Sequence, residues 1–189
     1  QDALAALKEK FGYSSFRPGQ EEVINHLLNG ENALAVMPTG GGKSLCYQIP
    51  ALLMPGITIV ISPLIALMKD QVDALNEEGI AATYINSSLS FPEIDHRFAM
   101  AARGDVQLLY IAPERLDSDR FLRELSSLNV SMVAVDEAHC ISQWGHDFRP
   151  SYLTLTEAIA PLPSHPVVIA LTATAPRKVA ADIRSRLGI

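Results

Sequence analysis

The residues best suited to chemistry fall in two short segments, MPTGGGKS at 37–44 and DEAH at 136–139. In the first, consecutive glycines let the backbone curl so that its N–H groups point at an anion, which side chains would otherwise obstruct. Lys43 can reach the outer phosphates of a nucleotide, and the Ser44 hydroxyl can ligate a Mg²⁺ ion that bridges them. The segment therefore predicts a phosphate-binding loop that consists of Thr39, Gly40, Gly41, Gly42, Lys43 and Ser44.

The strict form of this pattern, G-x-x-x-x-G-K-[ST], has a glycine five positions before Gly42, where this sequence has Met37. The alternative is a glycine-rich turn between a strand and a helix, with a solvated lysine. A predicted strand before the segment and a predicted helix within it favour the phosphate-binding interpretation.

The DEAH segment places two adjacent carboxylates at the end of a buried strand, where they are costly unless they face cations or act chemically. Asp136 is predicted to hold Mg²⁺ through water, and Glu137 to polarise the water that attacks the γ-phosphate. The alternative is a solvated acidic helix cap. A phosphate loop earlier in the chain favours the chemical role over the cap, and the glutamate favours hydrolysis, which needs a base that activates water. A small-molecule kinase mainly positions its acceptor hydroxyl and does not need a base that activates water.

A third segment, CISQWGHDFRP at 140–150, follows the DEAH segment directly and contains the only tryptophan. Exposed tryptophan and phenylalanine are ordinarily avoided, so a surface loop that carries Trp144 and Phe148 needs a reason. Stacking on unpaired bases is one such reason, worth roughly 1–3 kcal/mol per base and tolerant of any base sequence. The alternative is a loop that packs against its own domain.

Short apolar runs rich in β-branched residues alternate with helical patterns, and these elements must position the three segments. Most of the runs are continuous rather than alternating, which is typical of strands buried on both faces. The predicted fold class is α/β, with a doubly wound, mostly parallel sheet that helices cover on both faces. Strands are predicted at 33–37, 58–62, 82–86, 107–112, 132–136 and 167–171, and helices at 21–28, 64–77 and 176–187.

Length and composition limit the classes of protein. The 189 residues, 48% of them apolar, fit one ordered domain. A formal net charge of −6 argues against a wholly basic nucleic-acid coat but allows a local binding groove. Cys46 and Cys140 form no CxxC pair, which excludes a disulfide framework and a structural zinc site and indicates a reducing intracellular compartment. The chain has no membrane-length apolar run, and because it lacks an initiator methionine, we expect a piece of a longer chain.

These segments together resemble the first RecA-like domain of the RecQ-family, superfamily-two DNA helicases, and bacterial members in particular. The resemblance covers nearly the whole chain, and methionine is usual at the first position of the family's phosphate loop. A DEAH box followed at once by the aromatic loop is the most specific of its signals. The other matching segments are FGYSSFRPGQ at 11–20 (adenine recognition), SPLIALMKDQV at 62–72 (motif Ia), YIAPERL at 110–116 (motif Ib) and TAT at 172–174 (motif III).

The resemblance implies roles for individual side chains. Tyr13 would stack on adenine while Arg17 and Gln20 bond its edge, and glutamine suits that edge because it offers a donor and an acceptor together. The alternative is that the aromatic residues of this segment, Phe11, Tyr13 and Phe16, belong to the core, which we expect for Phe11 and Phe16. DNA binding, or its coupling to hydrolysis, is implied for His139, Gln143, Trp144, His146, Phe148, Arg149, Thr172 and Thr174.

Some of these implied roles have structural alternatives. Thr172 and Thr174 can bond the DEAH side chains or a partner domain, but threonines at strand ends are also common helix caps. His146 is implied to lie close to the nucleotide. Motifs Ia and Ib would contact the DNA backbone mainly through main-chain groups and helix N-termini, which would let an acidic domain bind DNA.

The resemblance implies an ATP- and Mg²⁺-dependent motor domain that binds single-stranded DNA and duplex junctions and unwinds duplex 3′ to 5′ in repair and recombination. A second RecA-like domain of the parent chain would supply an arginine finger, so we expect this chain alone to turn ATP over poorly. Zinc-binding and winged-helix modules would also lie outside it. The implied location is the cytoplasm at the bacterial nucleoid, or the nucleus in a eukaryote, with no membrane partner.

Two other functions remain open at this stage, and so does the oligomeric state. One is an ATP-driven translocase that does not separate strands, and the other is a non-catalytic nucleotide-binding module. DNA and RNA are not distinguished either, because contacts to the 2′-hydroxyl are not visible in a sequence.

Overall fold

Six strands form one parallel sheet in the computed structural model, which describes residues 2–38 and 42–189. The strands are β1 (Ala33–Val36), β2 (Ile57–Ile61), β3 (Ala82–Ile85), β4 (Leu108–Ile111), β5 (Val130–Val135) and β6 (Val167–Thr172). Their order across the sheet is β1-β6-β5-β2-β4-β3. The predicted fold class is confirmed, and each predicted strand matches an observed one to within two residues.

Helices connect the strands and cover both faces of the sheet. The predicted helices at 21–28, 64–77 and 176–187 are confirmed to within one residue. In the described ranges no helix is long and apolar enough to cross a membrane. The α-helices are α1 (Ala3–Ala6), α2 (Gln20–Leu28), α3 (Leu45–Leu53), α4 (Ile65–Glu77), α5 (Phe91–Ala102), α6 (Asp119–Ser126), α7 (Leu155–Ile159) and α8 (Arg177–Leu187).

Shorter helical turns complete the connections. A π-helical turn, Leu7–Phe11, follows α1, and 3₁₀ helices span Pro113–Asp117, Ala138–Ile141 and Pro150–Thr154. The sequence analysis missed α5 and α6, although both begin with a serine N-cap. Ser90 and Ser118 each accept a hydrogen bond from the backbone N–H three residues later.

The continuous apolar runs are explained by a separate core on each face of the sheet. Successive side chains of a strand point to opposite faces, so Val133 of β5 packs in one core and Ala134 in the other. Helices α5, α6 and α8 contribute to the first core, and α3 and α4 to the second. With apolar contacts on both faces, β2, β4 and β6 are buried at every position.

Parallel pairing brings the ends of β1, β5 and β6 to one edge of the sheet. Thr172, the last residue of β6, pairs with Val36 of β1, and its carbonyl accepts from the Met37 N–H at 3.0 Å. On the other side of β6, β5 runs directly into Asp136. The segments after these three strands are distant in sequence but adjacent in space, as expected for a parallel sheet.

Candidate active site

Lys43 lies immediately before α3 and directs its ammonium group at the acidic pair of the DEAH segment. Its Nζ is 3.8 Å from Asp136 Oδ1 and 3.5 Å from Glu137 Oε1. The lysine side chain is only 16% exposed, so water screens these attractions weakly. The structure therefore brings Lys43 and the DEAH segment together, as the sequence analysis predicts.

Asp136 is a buried carboxyl, with 6% of its surface exposed. Burial raises its pKa above the usual value, and the neighbouring Lys43 ammonium acts in the opposite direction. One carboxylate oxygen also accepts from the Glu137 N–H at 2.9 Å. The alternative of a solvated acidic cap is therefore wrong for Asp136, because this carboxylate faces a cation inside the protein.

Glu137 has a left-handed backbone conformation, with φ at 51°. A residue other than glycine rarely adopts this conformation, which costs about 1–3 kcal/mol where it is imposed. The turn sends the Glu137 side chain to Lys43, and its Oε2 lies 3.6 Å from His139 Nε2. Glu137 is therefore only half-buried, beside a fixed cation, and can be reached by a water molecule.

Gln20 connects the predicted adenine-recognition segment to the phosphate loop. Its Nε2 donates to the Gly42 carbonyl at 2.9 Å, and its Oε1 accepts from the Arg17 N–H at 2.8 Å. The side chain is 1% exposed, and both ends of its amide are engaged within the chain. The adenine contact of Gln20 stays a prediction that requires one of these bonds to be exchanged.

Gly42 has a backbone conformation that only glycine adopts easily, with φ at 77°. A Cβ at this position would lie 2.5 Å from Gln20 Nε2, closer than real atoms approach. The glycine is therefore needed for the close contact between the two segments. Thr39, Gly40 and Gly41, the other predicted glycine-loop residues, lie outside the described residues.

Tyr13 stands beside the phosphate loop with 52% of its surface exposed. It lines a cavity of about 130 Å³ together with Arg17, Gln20 and Gly42. The core alternative is therefore wrong for Tyr13, and its ring is free to stack on a planar group held in this cavity. Phe11 and Phe16 are partly buried against the core, as expected.

Ser44 supplies an oxygen at the start of α3, next to the position of Lys43. A serine hydroxyl and the Asp136 carboxylate are the hard oxygen donors that Mg²⁺ prefers. Lys43, the α3 N-terminus and the tight Gly42 turn are suited to an anion. The donor set of the described residues therefore fits a nucleotide with its Mg²⁺ ion.

The aromatic loop at 140–150 is buried at its start and exposed at its tip. Ile141 and Ser142 are buried, whereas Trp144 is 68% exposed. Lys178 of α8 lies over the Trp144 ring, with Nζ 4.9 Å from the ring centroid. Gln143 and His146 are exposed, and Phe148 and Arg149 are partly buried. The packing alternative therefore holds for the first residues of the loop and not for its tip.

His139 joins the DEAH segment to the end of β6 and to the aromatic loop. Its Nδ1 is 2.9 Å from Thr172 Oγ1, and its ring stacks on His146 with centroids 4.6 Å apart. The prediction that Thr172 bonds a DEAH side chain is confirmed. Burial lowers the pKa of His139, although Glu137 acts in the opposite direction. Its ring is buried, a position that favours coupling over direct DNA contact, and the predicted role stays a prediction.

Thr174, the second predicted threonine of the TAT segment, is exposed. Thr172 Oγ1 donates to its carbonyl at 2.9 Å. The hydroxyl of Thr172 therefore ties the turn after β6 to His139 at the same time. Thr174 remains available on the surface for the partner contacts that the sequence analysis predicts.

Three buried tyrosines near the site were missed. Tyr152 donates its hydroxyl to the Asp136 carbonyl at 2.9 Å, and the hydroxyls of Tyr47 and Tyr110 are 2.9 Å apart. A buried tyrosine usually needs a partner for its hydroxyl. The signal available in the sequence was a tyrosine within an otherwise apolar segment, as at 110 in LLYIA.

Comparison with known proteins identifies the family. The sequence matches the DEAD/DEAH box helicase family over residues 17–183. It is 55% identical over 188 residues to the ATP-dependent DNA helicase RecQ of Bacillus subtilis (strain 168), covering 99% of this chain and 32% of that protein. It is 52% identical over 187 residues to the RecQ of Haemophilus influenzae, covering 99% of this chain and 30% of that protein. The chain thus spans about a third of the length of these relatives.

The fold is also that of solved helicase structures. The DNA-bound helicase MrfA superposes with a TM-score of 0.76 at 24% identity, over 100% of this chain and 26% of that one. The family that the sequence analysis predicted is confirmed, and the chain belongs to the DEAD/DEAH box helicases, within which it is similar to bacterial RecQ proteins over nearly its full length.

Proposed function

We propose that this chain is the first RecA-like, ATP-binding motor domain of a RecQ-type DNA helicase, which hydrolyses ATP when it engages single-stranded DNA. Membership of the DEAD/DEAH box helicase family implies the use of ATP. The observation that carries the proposal is the convergence of Lys43 on Asp136 and Glu137, with the aromatic loop directly after the DEAH segment. A nucleotide site and a base-stacking loop in one continuous segment are what a DNA-dependent motor requires.

Four of the described residues would each have a separate role in ATP hydrolysis. Lys43 would hold the outer phosphates, and Ser44 and Asp136 would hold Mg²⁺, the latter through water. When bound, Mg²⁺ would neutralise charge that develops on the phosphate oxygens. Glu137 would orient the attacking water and accept its proton, since its carboxylate lies at the open side of the site.

His139 can transmit the state of the aromatic loop to the catalytic glutamate. It contacts Glu137 on one side, stacks on His146 of the loop, and bonds Thr172 at the end of β6. Bases that stack on Trp144 would shift the position of the loop and, through His146, the position of His139. DNA binding would then adjust the position of Glu137, which gives a physical reason for DNA-stimulated turnover.

The rest of the function belongs to the parent chain. By the resemblance to RecQ, a second RecA-like domain would complete the site, and duplex unwinding would run 3′ to 5′ in DNA repair and recombination. Duplex junctions would be the other DNA partner. In a bacterium this activity would take place in the cytoplasm, at the nucleoid.

The proposal is tested by ATP turnover in the parent chain with and without single-stranded oligo-dT, with this 189-residue chain assayed in parallel. We expect strong stimulation by oligo-dT in the parent and little turnover in this chain, because the arginine finger that the second domain would supply is worth about 10³–10⁵ in rate. Turnover indifferent to DNA would contradict the helicase function. Stimulated turnover without strand displacement on a tailed duplex would instead indicate a translocase.

A further inference from the structure

The end of the DEAH segment and the aromatic loop bring three different metal-ligating side chains together. His139, Cys140 and Asp147 each offer one donor atom, and these atoms all lie within 4.8 Å of one another. His139 and Cys140 are buried, whereas Asp147 is partly exposed. Asp147 reaches Cys140 because the loop folds back on itself, with the Arg149 N–H bonded to the Cys140 carbonyl at 2.9 Å. The fold of the loop, rather than a spacing motif in the sequence, therefore forms this cluster.

The separation of Cys140 and Asp147 suits a single metal ion between them. Cys140 Sγ is 3.8 Å from Asp147 Oδ2. Metal bonds of about 2.3 Å to sulfur and about 2.1 Å to oxygen, at a tetrahedral angle, place two such ligand atoms about 3.6 Å apart. Asp147 Oδ2 also accepts from the Arg149 guanidinium at 3.3 and 3.4 Å. Since an ionised carboxylate has about four lone-pair positions, it can keep this contact and still ligate an ion.

The hydrogen bonds of His139 hold its ring in the form that ligates a metal. The Thr172 hydroxyl donates its proton to the Thr174 carbonyl, so the same hydroxyl accepts from the His139 Nδ1–H at 2.9 Å. The lone pair of the neutral ring therefore lies on Nε2. A histidine that ligates a metal commonly donates its other N–H to an oxygen in this way. Glu137 Oε2, which lies 3.6 Å from His139 Nε2, adds a negative charge that favours a cation here.

The mixture of donors selects Zn²⁺ over Mg²⁺. A thiolate, an imidazole and a carboxylate are ligands of zinc, whereas Mg²⁺ is bound by oxygen. Burial raises the pKa of the Cys140 thiol to about 12, so the thiol keeps its proton without a metal. An ion binds the thiolate form, and the thiol proton passes to solvent. With three protein ligands and a fourth position for water, this site differs from the structural zinc site that the cysteine spacing excludes.

We propose that His139, Cys140 and Asp147 form a regulatory Zn²⁺ site that closes the aromatic loop. An ion held there joins the start of the loop to Asp147, three residues after Trp144, and so restrains the exposed tip. It also engages His139, the residue that contacts Glu137. The regulatory role rests on the proposed function, in which movement of this loop couples DNA binding to ATP turnover. The metal site itself does not depend on that function.

Co²⁺ is the probe for the site, because four-coordinate Co²⁺ bound to a thiolate has an intense absorption that aqueous Co²⁺ lacks. The reduced chain is titrated with Co²⁺ and then with Zn²⁺, without nucleotide or DNA. We expect one ion per chain, a sulfur-to-cobalt charge-transfer band, and displacement of Co²⁺ by Zn²⁺ but not by excess Mg²⁺. The absence of a charge-transfer band in the wild-type chain would overturn the site.

Variants of the ligands identify the donors. The sequence has two cysteines, so Cys140→Ser should lose the charge-transfer band and Cys46→Ser, its control, should keep it. Asp147→Asn should weaken Co²⁺ binding at least about tenfold, the lower end for loss of a metal's supporting partner. Its control is Asp105→Asn, since exposed Asp105 also pairs with an arginine two residues away, Arg103. The unfolding temperature of each variant shows that its fold is kept. A band that survives in Cys140→Ser, or wild-type affinity in Asp147→Asn, would overturn the proposal.

Closure of the loop is measured by the fluorescence of Trp144 as oligo-dT is added with and without Zn²⁺. We expect Zn²⁺ to weaken oligo-dT binding at least about fivefold, the lower end of typical coupling between two sites, and to have no such effect in Cys140→Ser. Equal binding with and without Zn²⁺ would overturn the regulatory role. No response to oligo-dT even without Zn²⁺ would overturn base stacking on Trp144 together with the regulatory role, whereas the Co²⁺ spectrum decides the metal site separately.

Discussion

The hydroxyl of Tyr152 donates to the backbone carbonyl of Asp136 at 2.9 Å. Tyr152 lies in the 3₁₀ helix Pro150–Thr154, so this bond ties the end of the aromatic loop to the start of the DEAH segment. A second bond closes the same loop, from the Arg149 N–H to the Cys140 carbonyl at 2.9 Å. These two bonds fix both ends of the loop, so its exposed tip is the part that can change position.

Removing this bond should weaken both the fold and the coupling. We expect Tyr152→Phe to lower the free energy of unfolding by about 1–2 kcal/mol, because it leaves a buried carbonyl without this partner. In the parent chain it should also reduce stimulation of turnover by oligo-dT while basal turnover changes less. Urea unfolding and ATP turnover measure the two effects. Tyr84→Phe is the control, because it removes a hydroxyl from a partly buried tyrosine on β3 whose ring lies under the Arg97 guanidinium. An unchanged unfolding midpoint would show that the bond contributes nothing to stability.

Lys43→Ala should abolish nucleotide-dependent activity. The variant removes the cation that faces the phosphates and leaves Asp136 and Glu137 without their shared ammonium group. We expect ATP turnover of the parent chain to fall at least about a hundredfold, as for other lost electrostatic stabilisers. Lys8→Ala, which removes an exposed lysine of the π-helical turn Leu7–Phe11, should retain activity. Unchanged turnover in Lys43→Ala would contradict the assignment of the phosphate loop.

Asp136→Asn should stabilise the fold at neutral pH while it removes activity. Burial raises the pKa of Asp136, so the ionised carboxyl costs stability that is absent below its unfolded pKa of about 3.9. As pH rises through the folded pKa, the wild-type chain loses stability relative to the variant. Urea unfolding at pH 7.5 and near pH 3.5 should show a gain at the higher pH that shrinks at the lower one.

The matched control for this carboxyl is Asp70→Asn, which changes an exposed group on α4. It should show little difference at either pH. An Asp136→Asn variant that is less stable at pH 7.5 would mean that attraction to Lys43 outweighs the burial of the charge.

Trp144→Ala should separate DNA binding from nucleotide binding. The ring is exposed at the tip of the loop, where Lys178 of α8 lies over it. We expect unchanged nucleotide affinity, a loss of about 1–3 kcal/mol in binding of oligo-dT, and weaker stimulation of turnover by DNA. Full stimulation in this variant would show that Trp144 serves only packing.

Trp144 also provides a direct signal, because it is the only tryptophan in the sequence. Bases that stack on its ring should quench its fluorescence as oligo-dT is added. Lys178→Gln removes the ammonium group above the ring, so it should alter the emission before DNA is added and leave the quenching by oligo-dT intact. No change in emission with DNA would place the bases elsewhere.

Gly42→Ala should disrupt the phosphate loop for two separable reasons. The backbone has a positive φ, and the new Cβ would meet Gln20 Nε2. We expect nucleotide affinity to fall about tenfold or more, since αL strain alone costs about 1–2 kcal/mol. Because Gln20 is itself a predicted adenine contact, the clash is isolated by adding Gly42→Ala to a Gln20→Ala chain, where the strain remains and the clash does not. In that background Gly42→Ala should lower nucleotide affinity less than in the wild-type chain; no loss there would show that the clash is the whole effect, and an equal loss that it contributes nothing.

The sequence by itself determined the six strands and the two segments that carry the chemistry, the phosphate loop and the DEAH segment. Continuous apolar runs require strands buried on both faces, and the structure has all six within two residues of their predicted ends. Lys43, Asp136 and Glu137 could be paired from the sequence because parallel strands carry the residues that follow them to the same edge. That rule holds for any parallel sheet, so the sequence is sufficient to apply it.

Only the tertiary structure decided which side chains contact one another. The structure adds contacts that the sequence did not indicate: the amide of Gln20, predicted to contact adenine, bonds Gly42 and Arg17. His139, predicted to bind DNA or to couple DNA binding to hydrolysis, is buried against Thr172. The tyrosines at 47, 110 and 152 were missed, because a hydroxyl within an apolar segment does not name its partner. Periodicity fixes which face of an element is buried, but the partner of a polar group depends on how distant segments pack, and that is set by the whole fold.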